Sequence, residues 1–148
     1  MVACAAGLEK IGVKPGKAVL VLGDNRARLY GGMLAVSLLG AYAMPAYPGA
    51  TLEELRHFLG EVEIVAAIAE DQEQVDKILE LKDAGAEGID HIIYDEARGL
   101  GFYEVEGLLS WDHLIEVGQH DLNETPGLRE ELLSRAKPED PAIFLHSS

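Results

Sequence analysis

Apolar and polar positions along the chain follow two alternating regimes. Short, largely apolar runs occur at Ala18–Leu22, Ala41–Tyr47, Ile64–Ala69, His91–Tyr94 and Ala142–Leu145, each bounded by glycine, proline or polar residues. They lack strict polar alternation, so they read as strands buried on both faces, the habit of a parallel sheet. Between them, apolar residues recur at helical spacing. Lys17–Pro48 holds strand, helix and strand in about 30 residues, which makes one βαβ unit with a right-handed crossover. The rest of the chain is arranged around that unit.

Taken in order, Met1–Ile11 reads as a helix carrying Val2, Ala5, Leu8 and Ile11, stopped by Gly12 and the Lys14-Pro15-Gly16 turn. Asp24 or Asn25 is expected to cap the next helix, with Leu29, Leu34, Val36, Leu38 and Leu39 apolar and Gly40 at its end. Thr51 and Glu54 make a capping box, and Leu52, Leu55, Phe58, Leu59 and Val62 line one face behind it. Asp71 caps an amphipathic helix with Val75, Ile78, Leu79 and Leu81. Asp95–Leu108 reads as an irregular surface excursion. Ser110 caps a further helix, Leu128–Ala136 forms a short one, and Ala142–Leu145 returns as a strand. The expected fold is α/β: a doubly wound, mainly parallel sheet with helices on both faces, residues 1–148 forming a single partial domain.

Composition narrows the partners. The formal net charge of −14 argues against nucleic acid and anionic membrane surfaces, since phosphate binding needs clustered Lys and Arg. The one cysteine, Cys4, excludes an internal disulfide and fits a reducing compartment, and its place near a helix start suggests packing. The longest apolar segment, Met33–Tyr47, is broken by Gly40 and Pro45 and falls short of the ~20 residues that span a bilayer. No basic segment precedes an apolar one at the N-terminus, so no signal peptide is read, and a soluble, cytoplasmic chain is expected.

Candidate chemistry is sparse. His113, Glu116 and His120 have helical spacing suited to metal ligation, but Gly118 is expected to interrupt their helix, and an exposed polar face is the simpler reading. Glu53/Glu54 and Glu130/Glu131 point in different directions on helices and make no acid–base pair. Gly99-Leu100-Gly101 lacks the context of a dinucleotide fingerprint. Gly31-Gly32 inside a helix implies close approach to a strand. His57 and His91 have no catalytic partner nearby in sequence and read as structural. Ser147 and Ser148 remain: they follow a strand at the carboxyl end of a parallel sheet, where open α/β folds bind ligands.

Several segments are more specific. IGVKPGKAVLVLGDN, LLGAYAMPAYPGATLEEL, IAEDQEQVDKIL, HIIYDEARGLGFY and LLSWDHL resemble, in order and spacing, the N-terminal portion of AMP-forming acyl-CoA synthetases. The likeness is greatest to the long-chain fatty-acid branch of the adenylate-forming superfamily, with Pro45-x-x-Pro48 and its Thr-x-Glu-Glu-Leu sequel the most telling part. Departures occur at Ala27-Arg28-Leu29-Tyr30 and Gly31-Gly32. The resemblance implies a parent that joins a fatty acid to CoA through an acyl-adenylate, with ATP and Mg²⁺ as cofactors. It also implies that Ser147 and Ser148 open a glycine-rich loop around the ATP phosphates. The chain would then lack that loop's later residues, the magnesium carboxylate and the catalytic lysine, depend on the remainder of the polypeptide, and be inactive alone. A stand-alone doubly wound nucleotide-binding or interaction module without catalysis is the alternative.

Overall fold

A computed structural model describes residues 1–146. Five strands, β1 (Ala18–Leu22), β2 (Tyr42–Ala46), β3 (Ile64–Ala69), β4 (His91–Tyr94) and β5 (Leu108–Ser110), form one sheet in the order β2-β1-β3-β4-β5. Every pairing is parallel. Around it lie α1 (Val2–Lys10), α2 (Ala27–Leu38), α3 (Leu52–Glu61), α4 (Gln72–Asp83), α5 (Trp111–Glu124) and α6 (Leu128–Arg135).

Side chains alternate across each strand, which divides the core in two. Val19, Val21, Ala43, Ala66, Ile68 and Ile93 face α1, α2, α5 and α6. Leu20, Leu22, Met44, Ala67, Ala69 and Ile92 face α3 and α4. The continuous apolar runs are thus two half-strands, each buried by its own helical layer, and the doubly wound reading holds.

Local chemistry explains most element ends. Thr51 Oγ1 accepts from Glu54 N at 3.2 Å while Glu54 Oε2 accepts from Thr51 N at 2.7 Å, closing both halves of the capping box of α3. Asp71 accepts from Gln74 N, and Ser110 from His113 N, at the starts of α4 and α5. At α2 the expectation fails. Its N-cap is Arg26, without a side-chain cap, because the Asp24 amide is turned towards Glu70 and Asn25 accepts from the Tyr30 hydroxyl.

Two glycines also behave differently from the sequence reading. Gly118 does not interrupt α5; it lies where α5 crosses α1, and a Cβ there would stand 2.7 Å from Gly7 N and overlap the Ala3 carbonyl. Gly7 faces Leu114 in the same way. Backbones this close need both side chains absent. Of the pair in α2, Gly32 has the predicted close approach, a Cβ there falling 2.6 Å from Ile68 Cδ1, whereas Gly31 has nothing within 4 Å.

The sheet differs at both edges. β5, read as the end of a loop and the start of a helix, pairs with β4 through Leu108–Ser110. Ala142–Leu145 is not a strand among the described residues. It makes one parallel bridge, Ala43 with Ile143: Ala43 N donates to Ala142 O at 3.1 Å and Phe144 N to Ala43 O at 2.8 Å. Ile143 and Leu145 stay 48% and 67% exposed, so an apolar run that reads as buried lies along the open edge of β2.

Candidate functional site

The strand order reverses between β1 and β3, and in this topology the crevice beyond their carboxyl ends is the usual ligand position. Here side chains fill it. Glu70, at the end of β3 and 7% exposed, accepts from Asp24 N at 2.5 Å and pairs with Arg26 Nε at 2.7 Å. Arg26 also lies 3.7 Å from Asp95, which receives Arg28 at 3.1 Å, and Arg28 reaches Asp112 at 2.9 Å. Gly23 makes the approach possible: a Cβ there would be 2.5 Å from Glu70 Cβ. Two guanidinium groups and three carboxylates therefore tie the ends of β1, β3 and β4 to the starts of α2 and α5.

Free space lies to either side: a polar cleft of about 360 Å³ beyond β3 and β4 is lined by Arg26, Asp71, Gln72, Glu73, Glu96 and Arg98, and two more clefts lie towards the β2 edge. A cleft of about 850 Å³ is bounded by Pro45, Tyr47, Thr51, His57, Phe58 and His146, among others. A smaller one of about 220 Å³ sits between the ends of β1 and β2 and the face of α2, against Tyr30, Met33 and Ile143. The segment bridged at Ile143 delivers His146 to the larger cleft, where its ring packs on Phe58 with centroids 4.5 Å apart. Ser147 and Ser148, the two residues singled out from the sequence, lie outside the described residues.

The remaining candidates sort readily. His113 Nδ1 lies 3.6 Å from Glu116 on the exposed face of α5, and His120 does not join them in a three-ligand group. The expectation that His57 lacks a nearby partner fails: Glu61, four residues on along α3, lies at 3.2 Å, and the edge-on ring of His146, which the sequence did not advertise, at 5.3 Å. His91 is structural in placement, at the start of β4, with Nδ1 buried and unpartnered. Gly99-Leu100-Gly101 is a turn whose Leu100 is buried, followed by Tyr103, which donates to Asp76 at 2.6 Å. That bond holds the Tyr103 proton and raises its pKa, the Gln72 contact opposing it. Burial pushes the Cys4 thiol up to about 12, which leaves it an unreactive packing group. The Arg26–Glu70–Asp95–Arg28–Asp112 system escaped sequence reading because its members are scattered from position 26 to position 112. Strand-end acids beside helix-start arginines were its one available signal.

An open, doubly wound parallel sheet with free space at the carboxyl ends of its strands is the arrangement in which α/β domains bind their ligands. Comparison makes this specific: the family described as AMP-binding enzyme matches residues 1–148, and the chain belongs to that family. No curated protein sequence matches it. Among solved structures, the acetoacetyl-CoA synthetase from Streptomyces lividans superposes with a TM-score of 0.66 and 22% identity over 77% of this chain and 18% of its own. The anthranilate CoA ligase AuaEII, solved with anthranoyl-AMP, gives 0.65 and 22% over 77% and 21%. A candidate long-chain-fatty-acid CoA ligase from Rhodopseudomonas palustris gives 0.63 and 20% over 76% and 27%. The chain thus spans roughly a fifth to a quarter of the length of these similar structures.

Proposed function

We propose that these residues form the N-terminal part of the AMP-binding domain of a longer acid–thiol ligase, with a long-chain fatty acid as the carboxylate substrate. The family match over residues 1–148 carries the reading. In such a parent a carboxylate oxygen bonds to the ATP α-phosphorus as the α–β phosphoanhydride breaks, releasing pyrophosphate. The CoA thiol, giving up its proton, then displaces AMP from the acyl carbon. Both steps develop charge that preorganised donors must meet.

This chain's role in that chemistry is positional. The parallel bridge at Ile143 and the packing of His146 on Phe58 bring the polypeptide to the cleft immediately before Ser147 and Ser148. Their hydroxyl and amide groups would then face the ATP phosphates. The described residues do not fit Mg²⁺ at this edge: Glu70, Asp95 and Asp112 are each engaged by Arg26 or Arg28. Magnesium and CoA would be held by the rest of the polypeptide. The test is ATP–pyrophosphate exchange with a long-chain fatty acid, run on the longer polypeptide and on the 148-residue chain. Fatty-acid-dependent exchange in the former and none in the latter is expected; exchange by the 148-residue chain would mean that it already holds the catalytic groups.

A further inference from the structure

His57 and Glu61 stand one helical turn apart on α3, and the chain beyond the Ile143 bridge brings His146 against them. His57 Nε2 is 3.2 Å and His146 Nε2 4.0 Å from the same Glu61 oxygen, and one potential ligand atom from each residue lies within 4.8 Å of the others. Ligands around tetrahedral zinc, at about 2.0–2.2 Å from the ion, stand about 3.4 Å apart. Small side-chain rotations would close the trio to that spacing.

The donor set and its setting point the same way. Two imidazoles and one carboxylate are a zinc or cobalt set, harder cations preferring all-oxygen sites. An i,i+4 pair on a helix presents two ligands side by side. The third is oriented by its packing on Phe58, at 4.5 Å between ring centroids. His57 and His146 line the 850 Å³ cleft, where Glu53 and Glu54 add negative charge and a fourth coordination position would open to solvent. A plain surface ion pair would need only His57 and Glu61; the arrival of His146 from a separate part of the fold is what completes a chelate.

We propose that His57, Glu61 and His146 form a transition-metal site, zinc being the natural occupant, that clasps the segment leading to Ser147 onto α3. The site uses this chain's residues alone and does not depend on the ligase reading.

The test uses the tag-free 148-residue chain, stripped of metal and titrated with Co²⁺, with Zn²⁺ as competitor. One equivalent of cobalt should develop the intense visible bands of a four-coordinate ion, and zinc should abolish them. His57→Ala, Glu61→Gln and His146→Ala should each weaken binding by about tenfold or more, while His113→Ala should leave it unchanged. All four positions are exposed, and circular dichroism verifies that each variant is folded. A spectrum that stays that of the hydrated ion overturns the proposal. So does full binding in His57→Ala or His146→Ala, or loss of binding in His113→Ala.

Discussion

Gly31 and Gly32 are adjacent in α2 and identical in sequence terms, yet their surroundings give opposite predictions. Nothing lies within 4 Å of a Cβ at Gly31, so Gly31→Ala should stabilise the chain by about 0.5–1 kcal/mol through helix propensity and a less flexible unfolded state. A Cβ at Gly32 meets Ile68 Cδ1 at 2.6 Å, so Gly32→Ala should cost about 1–3 kcal/mol as the core shifts. Urea titration of the two variants reads both signs; a stabilised Gly32→Ala would show the helix–strand contact to be loose. The capping box gives a second residue-scale prediction. The backbone amide of Thr51, and then its hydroxyl, hold Glu54 below its ordinary 4.5. A carboxylate depressed on folding contributes stability above its unfolded pKa, and that contribution is lost as pH falls through the lower folded value. Thr51→Ala should therefore lower stability by about 1 kcal/mol at neutral pH, and the gap to the parent chain should narrow on acidification below 4.5. A gap that is constant with pH would mean that the Thr51 hydroxyl takes no part in holding the Glu54 carboxylate. The caps at Thr51, Asp71 and Ser110 were legible in the sequence because their partners sit three residues away. The lattice joining Glu70, Asp95 and Asp112 to Arg26 and Arg28 was not, because sheet order alone makes those residues neighbours.

Elements with a strong local signature were read closely, and those defined by their neighbours were not. β3 and β4 coincide with their apolar runs, and the helix ends at Gly40 and Gly85 follow from backbone that turns to positive φ there. β5 is only Leu108–Ser110 and is made a strand by pairing with β4 rather than by its own pattern. Ala142–Leu145 has the apolar pattern, but it lies at the sheet edge with a single bridge and no helix over it. Gly118 shows the same dependence on context: it should break an isolated helix, yet in α5 it is the point where α1 packs. Gly118→Ala should force these helices apart and cost about 1–3 kcal/mol, visible as a lowered urea midpoint. Arg135 fastens α6 to the same layer, pairing with Glu9 and Glu131 at 2.5 Å each. Burial alone would lower its pKa, but the hydrogen bonds to Glu131 and Glu9 together raise it.

At the scale of the whole molecule, the carboxyl edge of the sheet has a structural centre with open clefts on either side of it. Arginine–carboxylate pairs close the crevice between β1 and β3, and the cleft beside β2 receives the chain at His146. Among the described residues no helix is long and apolar enough to cross a membrane, and the net charge of −14 opposes a nucleic-acid surface. The α/β class and parallel sheet followed from apolar patterning, whereas adenylate chemistry entered only through family likeness. The central claim is that this edge hands the chain to ATP at Ser147. Its most direct test is the rate of acyl-adenylate formation per folded molecule in the longer ligase carrying Ser147→Ala. Loss of a charge-assisted hydrogen bond to phosphate, about 1.5–3 kcal/mol, predicts a fall of about ten- to a hundredfold with thermal stability retained. An unchanged rate alongside reduced stability would contradict it and remove Ser147 from the ATP site.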